Sequence, residues 1–230
     1  VVFFQNHPSL SYFFSGLFTG PTSQAPRVDE GHPGALYDLA LSLQEIGKLG
    51  QAMEAPEKVP SSEPGKDVRA ADYPLWLADR LLRHLLTDHT GNTHRTEISI
   101  DKLYSPDSMT GRLGLIEFRA FEMPYHPRMN AVQGLLLRGL VAALLRNPWN
   151  GKPIDLGLAL EDRFRLPAFL MEDLTDVLEM ISTAGFSFDP AWFTAFLDAR
   201  FAVCGAMEAK GIRVEVRTAV ENWTVLGEEM

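Results

Sequence analysis

The chain has 230 residues, 46% apolar and 22% charged, with a formal net charge of -9, which describes a folded chain with a sizeable core and not a disordered segment. No basic run offsets the acidity, which argues against a nucleic-acid surface but leaves room for a local arginine pocket that takes an anion. The single cysteine, Cys204, excludes an internal disulfide and a cysteine-rich metal site, and suits a reducing cytoplasm.

The opening VVFFQNHPSL lacks a basic leader and a small-residue cleavage site, so it does not read as a signal peptide. A start at Val1 and the ending NWTVLGEEM suggest a piece excised from a longer polypeptide. Residues 1–31 are rich in Gly, Pro, Ser and aromatics and predict a short strand or helical turn. An ordered loop carrying Arg27, Asp29 and Glu30 follows, the kind of place where function sits. Leu36, Leu39, Leu43 and Ile46 recur at helical spacing after Pro33 and predict a helix over 33–49. Residues 51–70 are polar with three prolines and predict a long loop or insertion, the only internal boundary in a single domain over 1–230. Residues 73–88 predict a second helix with Leu75, Leu77, Leu81, Leu82 and Leu85 on its apolar face.

HRTEISIDKLY alternates as a strand, SPDSMTG is a turn, and RLGLIEFRAFE is a second strand, so the pair predicts an antiparallel hairpin. A long helix follows over about 127–145; its apolar run is short for a membrane span and contains Arg138. AFLMEDLTDVLEMISTAG predicts a helix stopped by Gly185. DPAWFTAFLDARFAVC predicts another, with Asp189 as N-cap, Pro190 at the first helical position and Cys204 as a structural residue in its apolar body. IRVEVRTAVE alternates as a last strand. The pattern is α+β, a small and mainly antiparallel sheet with helices packed on one face.

On a period of two, Arg95, Glu97, Ser99 and Asp101 share one face of the first strand, and Glu117 and Arg119 share a face of the second. Pairing the apolar faces points Glu97 and Glu117 the same way with Arg95 and Arg119 beside them, and the last strand could add Arg213, Glu215 and Arg217. Glu122 lies one step out of phase, and a bulge or the strand end brings it back. Carboxylates are hard ligands for magnesium, and arginines clamp phosphate or carboxylate. The same pattern also fits the wet face of an ordinary antiparallel sheet, or a protein-binding face. His94 and His126 flank the strands as further candidates; His7 precedes serines that contact a ligand or merely cap. His84 and His89 have a poor spacing for metal, and no nucleotide-loop, zincin or nucleophile-elbow motif is present.

The stretches TGNTHRTEISIDKLYSPDSMTGRLGLIEFRAFEMP, HPSLSYFFSGLFTGPTSQAPRVDE and GFSFDPAWF closely resemble a bacterial family of amidoligase domains found downstream of a transglutaminase-like, cysteine-protease-type domain. The resemblance covers residues 6–229 and implies similarity to the glutamine synthetase and glutamate–cysteine ligase fold, here with fewer strands than that fold usually has. It implies ATP and magnesium as cofactors, with Glu97, Glu117 and Glu122 as the metal set. Arg95, Arg119, Arg27 and His94 would hold phosphate or the acid substrate, and Glu30 accompanies Arg27. The implied chemistry is an acyl phosphate captured by an amine, with Arg119 offsetting charge and Glu122 or His126 as base. The expected partners are a small-molecule or peptide substrate and the transglutaminase-like domain of the same full-length chain, with no nucleic acid and no membrane. A non-catalytic substrate-binding module and a metal-dependent amide hydrolase are the competing expectations.

Overall fold

Helices outweigh strands, and the computed structural model describes residues 1–15, 27–31, 34–54, 75–88 and 90–219. The first residues form two short helical turns, α1 (Val2–Asn6) and α2 (Ser9–Tyr12), and a 3-10 turn follows at Val28–Glu30. Next come α3 (Ala35–Glu54) and α4 (Trp76–Leu82), then strands β1 (Ile98–Ser99) and β2 (Glu117–Phe118). The rest is α5 (Pro127–Arg146), α6 (Ala159–Asp162), α7 (Pro167–Thr183), a 3-10 turn at Pro190–Phe193, α8 (Thr194–Arg200), β3 (Val203–Ala209) and β4 (Ile212–Arg217).

The mixed helix and antiparallel-strand class agrees with the sequence. α7 buries Leu170, Leu174, Val177, Leu178 and Ile181, one stripe at helical spacing. It packs on α2 and on α5, whose Leu136, Leu140 and Ala143 are fully buried. Phe14, Phe193, Phe196 and Phe201 close the core beside them. By length and composition alone α5 is also long and apolar enough to cross a membrane, a test that a core helix passes too; 28% of that stretch is buried here, and α5 packs in part on α7. Asp189 caps as expected, its Oδ1 accepting the Ala191 N–H at 2.9 Å, and Gly185 stops α7 with φ +90°.

The strands depart from expectation. The two long central strands shorten to a two-residue ladder, Ile98 opposite Phe118 and Ser99 opposite Glu117. The segment between them turns back on itself instead, with Ser105 N–H donating to Gly111 O and Gly114 N–H to Leu103 O. The last strand does not join that ladder: β4 pairs only with β3, in a separate hairpin. Arg213, Glu215 and Arg217 therefore lie outside the β1–β2 site. Cys204 is exposed on β3 and not in a helix, because the chain leaves α8 at Arg200 and turns into the hairpin. α3 runs on to Glu54, four residues into the stretch predicted as a loop over 51–70; residues 55–70 lie outside the described residues.

Candidate functional site

The polar centre of the molecule is built by the N-terminal turns. α1 and α2 are too short to satisfy their own carbonyls, and Arg27 meets two of them: Nη1 donates to Phe4 O at 3.2 Å and Nη2 to Gln5 O at 2.6 Å. The same guanidinium is held in a fork by Asp29, with Nε to Oδ1 at 3.0 Å and Nη2 to Oδ2 at 3.1 Å. Arg27 is 1% exposed. Burial alone would lower its pKa, but Asp29 and Glu97 outweigh that and raise it, so the charge is permanent.

Glu97 enters this centre from the start of β1 and is also 1% exposed. Ser11 connects the two charges: its hydroxyl donates to Glu97 Oε2 at 2.6 Å and accepts from Arg27 Nη1 at 3.4 Å. Glu97 Oε1 has no hydrogen-bond partner, and neither end of the nearby fully buried Gln5 amide has one. Desolvation pushes the Glu97 carboxyl up to about 7, against the pull of Arg27 and the Ser11 hydroxyl. Burying a carboxyl with one empty oxygen costs stability, and such groups cluster where chemistry is done. On the rim, Tyr12 donates its hydroxyl to Glu30 Oε1 at 2.6 Å, while Arg27 N–H donates to Glu30 Oε2 at 3.0 Å.

The other predicted residues lie apart from Glu97. Register keeps the expected phase, because Glu117 pairs with Ser99 and Arg119 N–H donates to Glu97 O at 2.8 Å. The side chains diverge all the same: Glu117 is half exposed, with Oε1 3.2 Å from Arg119 Nη1. It lines a cleft of about 210 Å³ with Ser99 and Lys102. Asp88 Oδ1 gathers the Thr90 and Asn92 N–H groups into a turn, and His94 and Arg95 leave that turn outward. Their nearest acids are Asp101 at 3.3 Å from His94 Nδ1 and Asp88 at 3.9 Å from Arg95 Nη1. Both side chains are more than half exposed. His126 caps α5, its Nδ1 accepting the Arg128 N–H at 3.1 Å, so that nitrogen is not free to act as a base. Glu122 faces a different cleft, together with Arg200.

Among the described residues no three His, Cys, Asp or Glu side chains converge as a metal-holding group. Glu97, Glu117 and Glu122 are thus three separate carboxylates in this arrangement, because β1 is buried on both faces while β2 opens to solvent. A second pair went unnoticed in the sequence: His7 Nδ1 lies 3.0 Å from Asp173 Oδ1, and Asp173 Oδ2 accepts the Ser9 N–H at 2.9 Å. It ties α2 to α7. Only the serines after His7 hinted at the role of Ser11; nothing local pointed to Gln5, Asp173 or Arg200.

The whole chain, residues 1–230, matches the family described as "Putative amidoligase enzyme (DUF2126)". The protein belongs to that family. No curated protein and no solved structure matches it.

Proposed function

We propose that the chain is the ligase portion of an enzyme that joins a carboxylate to an amine as an amide, acting on a peptide or amino-acid-like substrate. Family membership supports the reaction class. The observation that carries the site is Glu97, a carboxylic acid buried beside a fixed guanidinium, with one oxygen held by Ser11 and the other unpartnered. An amine nucleophile must lose a proton as the amide forms, and an acid balanced near neutrality is suited to exchange it. In this reading Glu97 takes the proton-transfer part that sequence assigned to Glu122 or His126. Arg27 and Ser11 are positioning residues that keep the carboxyl in place.

Amide formation from a free acid in water needs an activated carboxyl, and ATP with magnesium is the activating pair the reading expects. The described carboxylates do not fit a preformed cage for that cation, since they stand apart. That separation favours one second reading, a non-catalytic module that presents substrate to a transglutaminase-like domain. Titration calorimetry of the 230-residue chain with a non-hydrolysable ATP analogue, with and without magnesium, separates the two. Magnesium-dependent nucleotide binding supports the ligase, and amide formation lost in Glu97→Gln with that binding retained supports the part given to Glu97. A folded chain that ignores the nucleotide, with or without magnesium, moves the assignment to the module.

A further inference from the structure

A cation and an anion line one small cleft without meeting. The cleft holds about 190 Å³, and its lining includes Arg200, Glu122, Gln133 and three phenylalanines. Arg200 closes α8 and makes no side-chain hydrogen bond or ion pair among the described residues; its Nε and Nη2 are covered and unpartnered. Burial lowers its pKa, and the charges of Glu122 and Tyr125 offset that only in part, neither making an ion pair with it. Glu122 is held by its backbone alone: its N–H donates to Phe14 O at 3.3 Å, and its carbonyl accepts from Gln133 Nε2 at 3.0 Å. Its carboxylate is exposed and makes no ion pair among the described residues. Gln133 is 6% exposed, and its Oε1 is an acceptor with no donor.

These unmet groups are complementary to one kind of ligand. A simple anion would satisfy Arg200 and be repelled by Glu122. A simple cation would do the reverse. A neutral apolar molecule would leave the covered Arg200 nitrogens and the Gln133 oxygen unpaired, which is costly away from water, while Glu122, whose side chain is exposed, stays solvated. A small zwitterion answers all three. The walls supply the remaining selectivity: the Phe14 ring lies 5.1 Å from Phe121 and 5.2 Å from Phe196, so the apolar side is pinned by aromatic packing.

We propose that this cleft binds a single α-amino acid with an apolar side chain. Its carboxylate lies against Arg200, its ammonium between Glu122 and Gln133 Oε1, and its side chain against Phe13, Phe14 and Phe196. The site deepens the ligase reading and rests on it for any catalytic meaning, since a free amino acid is a source of the acid or the amine. Binding itself needs no nucleotide, so the two ideas fail separately.

The test is calorimetric titration of the whole chain, without nucleotide, using L-leucine, L-leucinamide and N-acetyl-L-leucine. Leucine is expected to bind and each blocked form to bind at least tenfold more weakly. Arg200→Met should erase the preference for leucine over leucinamide while keeping the preference over N-acetyl-leucine. Glu122→Gln should do the opposite. This crossed pattern cannot come from general unfolding, and circular dichroism confirms that each variant is folded. The proposal is overturned if leucine does not bind the folded chain, or if either blocked form binds as well as leucine.

Discussion

Glu97 shows what a single residue contributes when its surroundings are assembled from far away. Its carboxyl is pushed from an ordinary 4.5 to about 7, chiefly by desolvation. The folded state therefore holds a proton that the unfolded chain has already released above pH 4.5. Stability from this group is fully present below that value and is lost as pH rises through about 7. The difference is worth on the order of 3 kcal/mol across the window. Urea denaturation of the native chain at pH 5 and pH 8 should show that loss, over and above the general effect of an acidic protein gaining charge. Glu97→Gln, which carries no titrating proton, should keep the general effect and drop most of the rest. Equal pH dependence in the two proteins would mean the carboxyl is not buried as described. In the sequence, period-two alternation brought Glu97 and Arg119 to one face correctly, but it could not show burial. The partners that bury Glu97 come from Ser11, 86 positions earlier, and from Arg27, and no local pattern encodes a contact of that range.

At the scale of elements, the long helices were legible, the helix expected over 73–88 shortens to Trp76–Leu82, and the central strands were not legible. A helix satisfies its backbone within its own sequence, so the α5 prediction of 127–145 and the Asp189 cap match the structure closely. A strand depends on a neighbour, and β1 and β2 pair over only two residues each. In the β3–β4 hairpin only the alternation of β4 was legible, since the first residues of β3 read as the end of the preceding helix. Ala209 pairs with Ile212 across Lys210 and Gly211, which have φ of 53° and 75°. Both central residues are left-handed, as in a type I′ turn, and lysine is strained there where Asn is tolerated. Lys210→Asn should stabilise the hairpin by about 0.5–1 kcal/mol, read as roughly two- to fivefold slower amide exchange along β3 and β4. Unchanged exchange would argue against this turn geometry. The melting temperature is a poor monitor, because both strands are largely exposed and can open without the core.

For the molecule as a whole, the decisive contact is the seam where α5 meets α7 and the segment after it. Two glycines of α5 report on it in opposite ways. Gly134 faces open space, and a methyl group added there would touch nothing within 4 Å. Gly139 faces the seam: an added Cβ would lie 3.1 Å from one Phe188 ring carbon, 3.2 Å from another and 3.5 Å from Ile181 Cγ2. Phe188 is not free to retreat, since Trp192 and Phe193 stand 6.1 and 6.4 Å away, centroid to centroid. Gly134→Ala should therefore stabilise the protein by up to about 1 kcal/mol through helix propensity alone. Gly139→Val adds branched bulk to a filled seam and should destabilise by about 1–3 kcal/mol. Nothing in the local sequence distinguishes the two positions, because each glycine sits in the same run of leucines; only the arrival of Phe188 does. Urea midpoints of the two variants should move in opposite directions. A shift of both in the same direction would show that α5 is not seated against α7 and Phe188 as described. The aromatic cluster that runs from this seam through Phe193 and Phe196 to Phe14 would then lose its support, and with it the wall of the Arg200 cleft.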